Sequence, residues 1–163
     1  MMGAGKSVVG VLLAERLGCG FVDTDAMIER TSGMSVAELF GREGEASFRK
    51  REREAIENAA GGAVVVALGG GAIAQPGAWE RCAGSGTIVY LRARPETLLA
   101  RIRDASDRPL LHGLFGEDRL RRIAELLAER GPIYERASIA IDTDAIAPGE
   151  VADRILGRLR NAQ

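Results

Sequence analysis

The chain has 163 residues, enough for one domain with a sizeable core and too few for two ordinary ones. Acidic and basic residues nearly balance at a formal net charge of -1, which excludes a general electrostatic pull toward nucleic acid or an anionic membrane. No apolar run approaches the ~20 residues of a membrane helix, and no charged-then-apolar leader precedes the first motif. Cys19 and Cys82 lack the spacing of a metal clip or redox pair. The expectation is a single cytoplasmic domain spanning residues 1–163, monomeric, with reduced thiols and no nucleic-acid or membrane partner.

The first element combines a glycine-rich stretch, Gly3-Ala4-Gly5-Lys6-Ser7, with an amphipathic helix ending at Gly18. Val8, Val9, Val11, Leu12, Leu13 and Leu17 fall mostly on one face of that helix. Lysine is scarce, occurring only as Lys6 and Lys50, so its place among glycines stands out. The pattern GxxxxGK[ST] is a phosphate-binding loop, whose backbone N–H groups, helix N-terminus and lysine converge on phosphate oxygens. Its first glycine would fall just before Met1, so the stretch also reads as a plain turn before a helix. Such a loop normally follows a hydrophobic strand in the middle of the sheet. The expectation is that this first central strand is missing from the chain and that roughly ten upstream residues, a strand plus loop entry, are encoded before it.

"GFVDTD" reads as a short strand ending in acids, with Asp23 and Asp25 two apart on one side of an extended segment. Its plainer reading is a polar strand end that caps the next helix. Ser35 and Glu38 form a capping box, and a charged helix follows over 43–60. Within it, "FRKRERE" reads as a solvated face with i,i+4 pairs. "AVVVALGGG" is a strand buried on both faces, closed by Gly69, Gly70 and Gly71, which either present backbone N–H groups to a ligand or simply make a tight turn. "TIVYLRA" is another strand, Pro95 opens a helix, and "SIAIDT" precedes a last helix after Pro148. Residues 105–117, with Pro109, Gly113 and exposed apolar side chains, read as a mobile lid. Alternating strands and helices predict an α/β fold, a three-layer α/β/α sandwich on a parallel sheet.

The order of phosphate loop, "DTDAMIE", "EASFRKRE", "LGGGAI", "RPLL" and "RGPIYE" resembles the shikimate kinase family over essentially the whole chain. The resemblance implies a P-loop kinase of the nucleoside monophosphate kinase type, which phosphorylates the 3-hydroxyl of shikimate with ATP and Mg²⁺ in aromatic amino-acid biosynthesis. It implies that Gly3, Ala4, Gly5, Lys6, Ser7 and Val8 surround the ATP phosphates, with Arg101 and Pro148 near the adenine. It further implies that Ser7 and Asp23 hold the metal, and that Asp25, Arg49, Gly70, Gly71 and Arg130 bind shikimate. Asp25, Lys6 and the lid residue Arg108 become the catalytic groups. His112, Trp79 and Tyr134 carry no chemistry on this reading, and Phe48 either walls the pocket or fills the core. Rival readings are a kinase for another hydroxylated acid, such as gluconate, or a nucleotide- or shikimate-binding regulatory protein without catalysis.

Overall fold

The computed structural model describes residues 1–59, 61–102 and 108–161. Helix α1 (Lys6–Leu17) begins after Gly5, whose φ of 87° is a left-handed conformation that glycine adopts without strain. Its buried stripe is Val9, Gly10, Leu13 and Ala14, whereas Val8, Val11 and Leu17 are exposed. The apolar face is thus narrower than the sequence suggests, because α1 packs mainly against α7 (Pro148–Asn161) and strand β2 (Val64–Ala67).

Strand β1 (Gly20–Asp23) stops at Asp23, where the chain turns directly into α2 (Thr24–Ser32). Asp25 therefore lies in the first helical turn, and the expected pair of carboxylates along one extended segment is corrected. Helix α3 (Val36–Ala59) opens with the capping box, the Ser35 and Glu38 backbone N–H groups each bonding the other's side chain. It bends at Gly44, whose positive φ of 81° with ψ 169° interrupts an otherwise helical run. Phe40 and Phe48 meet across the bend, ring centroids 4.8 Å apart. They pack beside Ile28, Leu39 and Ala55 in a small separate core.

The remaining strands, β3 (Val89–Arg92) and β4 (Ile139–Asp142), and helices α4 (Ala78–Ser85), α5 (Pro95–Arg101) and α6 (Gly116–Tyr134) follow the predicted alternation. Leu98, Leu111, Ile123, Leu126 and Ile155 anchor the main core. Within the segment expected to be a lid, 105–107 lie outside the described residues. Residues 109–111 form a 3₁₀ turn with Leu111 fully buried, so Phe115, rather than the whole run, is the exposed large hydrophobe there.

The parallel pairing is as expected, but it forms two ladders, β1 with β2 and β3 with β4. A cavity of about 390 Å³ is lined by β2, β3 and α1. Facing it, Val64, Val65 and Val66 are only half-buried, which corrects the reading of a strand covered on both faces. Among the described residues no helix is long and apolar enough to cross a membrane.

Thr24 ties the end of β1 to the turn after β2. Its fully buried hydroxyl donates to the Ala67 carbonyl at 3.3 Å and accepts from the Gly69 N–H at 3.0 Å. Thr24→Val keeps the shape and removes both bonds, leaving a buried N–H unsatisfied. The expected loss is about 1–3 kcal/mol, read as a lower urea midpoint with an unchanged slope.

Candidate active site

The glycine-rich loop turns tightly because Gly3 and Gly5 both have positive φ, while Ala4 between them is buried. Lys6 begins α1, so its ammonium and the helix N-terminus favour the same anionic ligand. The ammonium is buried and donates to the Met1 carbonyl at 2.7 Å. Burial pulls its pKa below the ordinary lysine value, partly opposed by Asp25. The next residue, Ser7, donates its hydroxyl to Asp23 Oδ2.

Asp23 Oδ1 meanwhile accepts from the N–H groups of Asp25, at 3.0 Å, and Ala26, at 3.3 Å. One carboxylate therefore caps α2 and reaches the phosphate loop. Ser7 and Asp23 together present the hard oxygen donors that suit Mg²⁺, an ion that keeps several waters and takes few protein ligands. Asp25 Oδ1 is buried with no hydrogen-bond partner among the described residues. Burial, then Asp23, raises the Asp25 pKa above the usual carboxylate value, and Lys6 and Arg108 pull the other way.

Gly69, Gly70 and Gly71 form the turn on which the remaining polar groups converge. A Cβ on Gly69 would collide with Glu52 Oε1 and Asp25 Oδ1; one on Gly71 would lie 2.8 Å from both terminal nitrogens of Arg49. The Gly70 carbonyl accepts from Arg130 Nη1 at 3.2 Å and from the Tyr134 hydroxyl. Arg130 is itself buried on α6. Two guanidinium groups from distant helices thus meet one turn, beside an unpartnered carboxylate.

Arg49 is held from several sides, and its charge lies 5.5 Å from the Phe48 ring centroid and 5.9 Å from that of Phe40. Its Nε and Nη2 donate to Glu45 Oε1, and Nη1 donates to Glu52 Oε2 at 2.8 Å. Phe48 belongs to the small core, as the second of its two readings expected, and its ring also flanks Arg49.

The phosphate loop, Asp23, Asp25 and Gly70 line a cleft of about 840 Å³ together with Arg101, Arg108 and Pro148. Arg101 donates from Nη1 to Thr143 Oγ1 at 2.9 Å and from Nη2 to the Thr143 carbonyl, so this residue is anchored to the loop after β4. Arg108 is exposed at the rim. His112 is exposed and stands outside this constellation.

Compared with known proteins, the chain matches the shikimate kinase family profile over residues 2–160. The chain belongs to the shikimate kinase family. A shikimate kinase of Chlorobium chlorochromatii is 43% identical over 163 residues, covering 96% of this chain and 86% of the relative. One from Gloeobacter violaceus is 46% identical over 158 residues, again 96% and 86%. Among solved structures, shikimate kinase from Acinetobacter baumannii in complex with shikimate superimposes with a TM-score of 0.93 at 38% identity, covering 99% of this chain and 90% of that one. Shikimate kinase from Bacteroides thetaiotaomicron gives 0.89 at 32% identity, covering 98% and 94%. These likenesses bear out the α/β P-loop fold.

The sequence reading missed four supporting residues in this shikimate kinase family member: Thr24, Glu52, Gln75 and Thr143. Glu52 hid within a charged run. Yet it stands one helical turn after Phe48 and before Ala55 and Ile56, and the buried stripe of α3 runs through all four. A carboxylate on that stripe has to be buried, and Glu52 is 1% exposed.

The glycine turn separates two kinds of crowding. Gly69→Ala drives a methyl into two carboxylate oxygens, whereas Gly71→Ala meets the end of one long arginine side chain at a slightly greater distance. We expect Gly69→Ala to lower stability by about 1–3 kcal/mol and Gly71→Ala by under about 1 kcal/mol, measured by urea unfolding.

Proposed function

We propose that the protein transfers the γ-phosphoryl group of ATP to the 3-hydroxyl of shikimate. The observation that carries this reading is the convergence of Arg49 and Arg130 on the Gly69–Gly71 turn, beside Asp25 and next to the phosphate-loop cleft. A small acid with ring hydroxyls matches that set, since guanidinium forks pair with a carboxylate bidentately while a carboxylate receives a hydroxyl.

On this reading Arg49 and Arg130 grip the shikimate carboxylate, with Gly70 and Gly71 against the ring. Asp25 accepts the hydrogen bond of the acceptor hydroxyl and takes its proton as the oxygen attacks the γ-phosphorus and ADP leaves. Gly3, Ala4, Gly5 and Val8 wrap the phosphates, Lys6 places its charge on them, and Arg108 neutralises charge on the transferring group. Ser7 and Asp23 would hold Mg²⁺, which supplies charge neutralisation on the phosphate oxygens when bound. Arg101 and Pro148 line the same cleft, and on this reading the base lies against them.

The test is ADP release by the purified protein with ATP and Mg²⁺, comparing shikimate, gluconate and no acceptor. Release only with shikimate is the expected outcome; equal release with gluconate, or none with either, would reject the reading. Arg130→Ala is expected to raise the shikimate KM about 10- to 100-fold with little change in the ATP KM. Asp25→Asn is expected to lower kcat by roughly 10²- to 10⁴-fold. Steady-state kinetics on each variant check both.

A further inference from the structure

Gln75 lies just beyond the glycine turn, where its backbone is fixed independently of its side chain. Its N–H donates to the Ala72 carbonyl at 3.3 Å, closing the 3₁₀ turn Ala72–Ala74, and its carbonyl accepts from the Ala78 N–H at 3.1 Å. The side-chain amide bridges two residues of α3. Nε2 donates to Glu52 Oε2 at 2.6 Å, and Oε1 accepts from Arg53 Nη1 at 3.1 Å.

This arrangement has only one workable orientation. Arginine can only donate and an ionised carboxylate can only accept, so a flipped amide would set donor against donor and acceptor against acceptor. Arg53 therefore fixes which way Gln75 points, and Gln75 fixes Glu52. The oxygen of Glu52 that receives Gln75 is the one that receives Arg49 Nη1.

The donors on Arg49 show why that matters. Of the five N–H groups on a guanidinium, Glu45 takes those on Nε and one on Nη2, and Glu52 takes one on Nη1. Among the described residues, one donor remains on each terminal nitrogen. Those two nitrogens lie equally close to the space above Gly71, where a Cβ would sit. A carboxylate ligand met by both would be gripped end-on, provided Glu52 holds the fork at its present rotation.

We propose that Gln75 is a positioning residue for the acceptor-carboxylate site: its amide, aimed by Arg53, holds Glu52 in the orientation that presents the Arg49 fork to the substrate. The proposal rests on the reading of Arg49 as a carboxylate clamp. The groups facing Glu52 are Arg49 on its own helix, Asp25 from α2, Arg130 from α6 and Gln75. Burial raises the pKa of Glu52, and Arg49 opposes that shift. The amide N–H is a second donor to Glu52 beside Arg49.

The experiment compares Gln75→Leu, Gln75→Glu and Arg49→Ala in steady-state kinetics for shikimate and ATP from about pH 6 to pH 9, with thermal unfolding of each. Gln75→Leu is expected to raise the shikimate KM roughly tenfold, with kcat within about threefold and the ATP KM unchanged. In Gln75→Glu the new carboxylate faces Glu52, so the shikimate KM is worst at high pH. It improves as pH falls, when one of the two carboxyls takes a proton and regains a donor. A tie that merely held the fold would lower the unfolding temperature without that pH-dependent, shikimate-specific change. If Arg49→Ala raises the shikimate KM while both Gln75 variants leave it within twofold at every pH, the role of Gln75 is refuted. If Arg49→Ala itself leaves the shikimate KM unchanged, the clamp reading fails, and the proposal with it.

Discussion

Asp23 uses its two carboxylate oxygens in two directions, and the site depends on that division. One oxygen caps α2, which starts the helix at Thr24 and sends Ile28 into the small core with Leu39 and Phe48. The other receives Ser7 from the phosphate loop. Because a single planar group fixes both, the loop, the helix carrying Asp25 and the lobe carrying Arg49 share one reference point. Capping bonds of this kind are worth only about 1 kcal/mol each. Their importance here is geometric, since they set where Asp25 faces the glycine turn.

Close approach dominates the rest of the site. Around Gly69 and Gly71 the absence of side chains lets Glu52, Asp25 and Arg49 reach the backbone from one side, while Arg130 and Tyr134 hold the Gly70 carbonyl. Burial then sets these charges against water. Lys6 is pushed toward its neutral form, and Asp25 and Glu52 are pushed toward theirs. Such groups keep their charges mainly through one another, so an anionic ligand entering the cleft would give the cations partners that water no longer supplies. Binding of that kind would add stability that grows with the logarithm of ligand concentration once it exceeds Kd.

Much of this was legible in the residues. The apolar runs at 64–67, 89–92 and 139–142 became strands, Ser35 and Glu38 made their box, and Pro95 and Pro148 opened helices. Local chemistry decides those features. What stayed hidden depends on distant partners. Asp23 ends its strand as expected, but its bond from Ser7, 16 positions away, is not marked in the local pattern. Glu52 read as part of a solvated charged face and Gln75 carried no reading, since nothing local records that α3 and the turn after β2 meet. The bend at Gly44 was missed because the neighbouring charges continue a helical pattern through it.

The only tryptophan of the chain, Trp79, is buried against the cavity between the ladders, with the Arg136 guanidinium 4.5 Å from its ring centroid. It follows Gln75 by one turn of chain, at the start of α4. The protein therefore carries a single natural fluorophore at the seam where its two halves meet. Indole emission shifts with local polarity and is sensitive to a neighbouring cation, so the colour of this one ring registers how firmly the seam is closed.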